Sequence, residues 1–156
     1  NHLDSLQTKS RKIRAAGFGG MEYAALFLYR HYIELELKRA FNEFIVSPIG
    51  LSHEKHWRNH DLQAIWRVLR RAMIQRLGET AIPRADLAHV DRIVRIFQTL
   101  DPDSTTLRFP RSKKGGIRRP CLPELDWLRF AGAMRRLRLY FKGTCGLNRD
   151  MGFHQE

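Results

Sequence analysis

At 156 residues and 18.3 kDa the chain is long enough to bury a core of its own, so one domain is expected with no disulfide or metal staple. An apolar share of 43% beside 28% charged residues argues against wholesale disorder and against collagen-like or repeat architectures, and the longest apolar run, Tyr23 to Tyr29, is too short to span a bilayer. The formal charge of +12, carried by 21 arginines against 7 lysines, points to a polyanionic partner, because the planar guanidinium fork suits phosphate.

Nothing at the N-terminus reads as a secretory signal. Cys121 and Cys145 have no partners at metal-ligand spacing, so two reduced thiols in a cytoplasmic protein are expected, without cofactor, metal or membrane.

Residues 1–20 read as a basic arm or short helix broken by Gly17-Phe18-Gly19-Gly20. A long helix is expected from Met21 to about Val46, stopped by Ser47-Pro48-Ile49-Gly50. Its solvent face should carry Glu36, Arg39 and Glu43, with Ala25 and Tyr32 beside them. His31, Glu34 and Lys38 fall on another stripe, shared with Phe27, Phe41 and Ile45, where the core should be. Such residues must pair internally or line a polar cleft, since an unpaired buried charge is costly. Pairing would join Glu34 to Lys38 and leave His31 as a satisfied core histidine. A cleft would let His31 move protons, Glu34 hold a tautomer and Lys38 neutralise phosphate.

Three histidines follow at 53, 56 and 60, but the spacing of His53, Glu54 and His56 fails the zincin pattern. His60 stands where the second helix begins, next to Asp61 as its N-cap. Apolar residues at 62, 65, 66, 69, 73 and 77 then mark that helix, with Gly78 just beyond its end. Pro83 suits the first position of a third helix, whose core stripe is Leu87, Val90, Val94 and Phe97 and whose end lies near Leu100.

Asp101-Pro102-Asp103-Ser104 is turn chemistry, and prolines and glycines keep the next 20 or so residues irregular, with room for a small hairpin at Lys113 to Gly116. This segment has no acid between Asp103 and Glu124, while Arg108, Arg111, Lys113, Lys114, Arg118 and Arg119 supply six positive charges. It reads as a phosphate-tracking arm. The last helix is expected over Glu124 to Lys142, with Trp127, Phe130, Met134, Leu137 and Phe141 as its core stripe and Arg135, Arg138 and Lys142 as a basic one. Arg67, Arg70 and Arg71 cluster on the polar side of the second helix. Glycines at 143, 146 and 152 should dissolve the tail.

The expected fold is therefore an all-α, up-and-down bundle of four to five helices with one long basic loop. A basic arm at 1–20, a bundle at 21–143 and a tail at 144–156 complete the division.

The segment Phe27-Leu28-Tyr29-Arg30-His31-Tyr32-Ile33-Glu34-Leu35-Glu36-Leu37-Lys38, with His60-Asp61-Leu62-Gln63-Ala64-Ile65-Trp66, resembles the helical core of HEPN (higher eukaryotes and prokaryotes nucleotide-binding) domains. The resemblance implies a compact α-bundle that binds RNA. Many members are metal-independent endoribonucleases of toxin–antitoxin and phage-defence systems, cutting at a composite site in a homodimer; others are inactive binding or scaffold modules. An antitoxin or defence component is the implied protein partner. The family's signature, an Arg followed four to six residues later by His, matches at Arg84 to His89 and at Arg149 to His154. The catalytic candidates are thus His31, Glu34, Lys38, His60, Arg108, Arg149 and His154, with Arg30 as a further source of charge. The alternative reading is a non-catalytic scaffold or dimerisation module whose polar stripe is internal glue.

Overall fold

The computed structural model describes residues 21–46, 60–109, 116 and 126–150. Four helices appear among them: α1 (Met21–Phe41), which runs into a π-helical turn at Asn42–Val46, α2 (Leu62–Leu77), α3 (Arg84–Leu100) and α4 (Trp127–Asp150). The all-α bundle expected from the sequence is what forms, with no strand among the described residues.

Helix α1 and the turn that ends it bury Leu26, Arg30, Ile33, Leu37, Ala40 and Phe44, spaced alternately four and three residues apart. That is the seam of a helix packed along its whole length, and a charged residue occupies one of its positions. Helix α2 follows the sequence closely. The Asp61 side chain accepts the Ala64 N–H at 2.9 Å, Gly78 sits at φ 86°, and all six predicted apolar positions are buried. An N-cap of this kind contributes about 1 kcal/mol. In α3, Pro83 stands just before the first helical residue and its carbonyl accepts the Leu87 N–H at 3.2 Å, while Ile93 joins the four expected core residues.

Side-chain pairings set the helix directions. The Leu62 N–H donates to Gln98 Oε1 at 2.8 Å, and Trp66 Nε1 donates to Asp91, so α2 and α3 run antiparallel. His89 lies 3.0 Å from the Ala133 carbonyl and Arg136 bonds Asp86 at 2.7 Å, so α4 runs antiparallel to α3. Helix α1 departs from this alternation and corrects the expected up-and-down order. Arg30 meets His60 at the start of α2, and Arg76 near the end of α2 donates to the Phe44 carbonyl, so α1 and α2 point the same way.

Helix α4 corrects the expected stop at Lys142. It continues through Gly143 and Gly146 to Asp150, burying Thr144, Cys145 and Asn148. A glycine inside a helix costs about 1 kcal/mol, yet α4 carries both and buries Thr144, Cys145 and Asn148 around them. At the other end Trp127 is 40% exposed and meets Phe130 edge-on, at 5.8 Å between ring centres. Glu124, the arm at 1–20 and the hairpin residues Lys113 to Gly115 lie outside the described residues.

Candidate functional site

Charged residues at 30, 34 and 38 fall four apart on α1, so their side chains stack along one face. This face points inward. Arg30 is fully buried, Glu34 is 4% exposed and Lys38 is 9% exposed. Glu34 joins them: Oε2 accepts Arg30 Nη1 at 2.7 Å, and Oε1 accepts Lys38 Nζ at 2.7 Å. Glu34 Oε1 also lies 2.9 Å from His60 Nδ1. Arg30 spends its other nitrogens on backbone, with Nη2 on the His60 carbonyl at 2.6 Å and Nε on the Asp101 carbonyl at 3.1 Å. One guanidinium therefore ties α1 to the start of α2 and the end of α3.

Burial works to raise the Glu34 carboxyl above its ordinary range. Hydrogen bonds from Lys38 and His60 and the charges of Lys38 and Arg30 outweigh it, and the group ends below that range. The carboxylate is therefore ionised at neutral pH. An ionised carboxylate only accepts, so the proton on their shared contact belongs to His60 Nδ1. A neutral ring then carries its lone pair on Nε2, and the side chain is 53% exposed. His60 is gripped at both ends, its carbonyl by Arg30 and its ring by Glu34.

Asp101 closes the third side. Its N–H caps α3 on the Phe97 carbonyl at 3.0 Å, and its Oδ1 accepts the Thr106 N–H at 2.8 Å, folding the 101–109 loop back on the bundle. Ser104, at φ 60°, makes the turn. The loop carries Arg108, which is exposed with its guanidinium 5.1 Å from the Phe109 ring centre.

Glu34, Lys38 and His60 are thus brought together, and the pairing of Glu34 with Lys38 is direct. His31 is not part of the cluster. It is exposed and stacks on Phe27 at 6.3 Å, one residue and so about 100° away from the inward stripe. Arg30 holds the place that His31 was expected to take. The stripe is a paired interior rather than a wet cleft, and His60 is its half-exposed end.

The expected solvent face of α1 also needs correction, because it meets α4. Arg39 pairs with Glu36 at 2.7 Å and lies 3.6 Å from Glu43, which is 3.6 Å from Arg149 of α4. Buried Cys145 sits against this face, and burial pushes its thiol up to about 11, so it is protonated and a poor nucleophile at neutral pH.

Neither Arg-to-His signature forms a site among the described residues. Arg84 is an exposed residue 3.6 Å from Glu79, whereas His89 packs on the α4 backbone. Arg149 donates to the Cys145 carbonyl at 3.3 Å, and its signature partner His154 lies outside the described residues. Of the basic candidates, Arg135, Arg138 and Lys142 are exposed on α4, while Arg111, Lys113, Lys114, Arg118 and Arg119 lie outside the described residues. Among the described residues no cluster of His, Cys, Asp and Glu could hold a metal, and no helix is long and apolar enough to cross a membrane. Comparison with family models, curated proteins and solved structures finds no match for this chain.

Proposed function

We propose that the chain is a HEPN-like RNA-binding domain that cleaves RNA without a metal, with His60 as the proton-transfer group. The observation that carries this reading is the half-exposed imidazole whose Nδ1 is held by a buried, ionised carboxylate. That arrangement leaves Nε2 as a base on a fixed ring, which is what general base catalysis asks of a histidine. In the reaction Nε2 takes the proton of the RNA 2′-hydroxyl, the 2′-oxygen bonds to phosphorus, and the phosphorus–5′-oxygen bond breaks. The departing 5′-oxygen receives the same proton back. Arg108, on the loop that Asp101 fastens to the cluster, supplies positive charge for the phosphorane oxygens.

The chain's charge of +12 supports RNA as the substrate and a strong salt dependence of binding. A cytoplasmic homodimer working in a toxin–antitoxin or phage-defence system belongs to the same reading. Incubating varied RNAs with the protein in EDTA tests it. His60→Ala should slow cleavage by about 100-fold or more with the fold retained by circular dichroism. Intact RNA after incubation with the wild-type protein, or equal cleavage by the variant, would sink the enzyme.

A second reading, a non-catalytic scaffold, is favoured by Arg30. A fully buried guanidinium that satisfies three segments at once is sufficient structural reason for Glu34 and Lys38 to lie where they do. On that reading His60→Ala changes stability and nothing else.

A further inference from the structure

The antiparallel pair α2 and α3 encloses a groove of about 480 Å³ that the cluster at Glu34 does not use. Its floor is apolar, formed in part by Trp66 and Val94, and its rim holds Arg67, Arg70 and Arg71 from α2 and Arg95 from α3. The acid in its lining is Asp91. That carboxylate is already engaged, accepting from Trp66 Nε1 and lying 3.4 Å from Arg70. Arg67, Arg71 and Arg95 make no ion pair among the described residues, and all three are exposed. Three uncompensated guanidinium groups around one concave surface repel one another in the free protein, and an anion in the groove relieves that repulsion.

We infer that this groove seats the phosphodiester backbone of a single RNA strand. Arg67 and Arg71 lie one turn apart, about 6 Å along the helix axis, so they address successive positions on an extended chain rather than one point charge. The floor beneath them is apolar and closed by the Trp66–Asp91 bond, which suits sugar edges passing over it and offers little to read base identity. Gln63 lines the α2 N-terminal end, three residues from His60 in the same helix start. A strand lying along α2 therefore leaves the groove at the helix end that His60 precedes. This inference rests on the RNA reading above and adds to it the surface that holds the strand.

The test is the salt dependence of single-stranded RNA binding by the full chain. It compares Arg67→Gln/Arg71→Gln/Arg95→Gln with a control that loses the same charge elsewhere, Arg84→Gln/Arg92→Gln/Arg129→Gln. The groove variant should bind at least about tenfold more weakly, and its slope of log affinity against log salt should be shallower by about 2. The control should keep the wild-type slope. Where cleavage is measured, the groove variant should raise KM and leave kcat, the converse of His60→Ala. Equal losses in groove variant and control would overturn the groove while leaving RNA binding intact. Polyglutamate that competes as well as RNA of equal charge would assign the groove to acidic polypeptides and overturn it too. A wild-type protein that binds no RNA at low salt removes both readings, whereas binding without cleavage removes His60 chemistry alone.

Discussion

Helix α1 carries two ionic clusters built from the same residue types, and they differ in almost every physical respect. The Arg30, Glu34, Lys38 set is buried, and both cations bond at 2.7 Å to the shared carboxylate. The Glu36, Arg39, Glu43 set lies on the α4 side, with Arg39 46% exposed and its contact to Glu43 stretched to 3.6 Å. Water screens Arg39 in the second set, so losing that side chain costs little; the first set has given up its water and depends on every partner. Buried charge fixes geometry at a cost in tolerance, and the buried set is the one that ends in a histidine.

The largest effect should come from breaking the buried set. Glu34→Ala leaves two buried cations without a carboxylate and should lower stability by about 3–5 kcal/mol, measured by denaturant unfolding. Arg39→Ala on the screened set should cost less than about 1 kcal/mol. Similar costs for both would erase the contrast.

Acid should separate the clusters in the same direction. Because the folded Glu34 carboxyl lies below its ordinary value of 4.5, its contribution is fully present above that value and lost as pH falls through the folded value. Unfolding followed below pH 4.5 should therefore show a loss of stability that Glu34→Gln no longer shows. An unchanged acid limb in the variant would mean that the carboxylate is not held as described.

A smaller gain is expected on α4, the helix that the screened set faces. A Cβ built on Gly146 meets nothing within 4 Å, so Gly146→Ala should raise stability by about 0.5–1 kcal/mol, read as a higher Tm. A loss would show that the last turns depend on the glycine.

The contrast also explains what the sequence could say. Helix α2 was legible because its signals are local: Asp61 caps, Gly78 stops, and its apolar residues repeat at the helical period. The bundle class followed from the same arithmetic on four helices. The end of α4 did not, since two glycines read as breakers and the compensating burial of Thr144, Cys145 and Asn148 is a tertiary fact. On α1 the stripe read from the sequence holds for Glu34 and Lys38 and fails at His31, because Arg30 is the inward residue there. The signal for Arg30 was nonetheless present, in its place in the four-and-three seam from Leu26 to Phe44 and in the four-residue spacing to Glu34 and Lys38. The groove between α2 and α3 needed the helix pairing, because no sequence pattern places Arg95 opposite Arg67 and Arg71.

The central claim is that Glu34 holds His60 as the Nδ1–H form and presents Nε2 to solvent. Long-range proton–nitrogen NMR of the histidine side chains reads this directly, with His60→Gln used to assign the signal. The account predicts that the neutral ring of His60 carries its proton on Nδ1 and leaves Nε2 bare, a signature that Glu34→Gln shifts. An Nε2–H ring, or a rapid mixture of both tautomers in the wild-type protein, would contradict it.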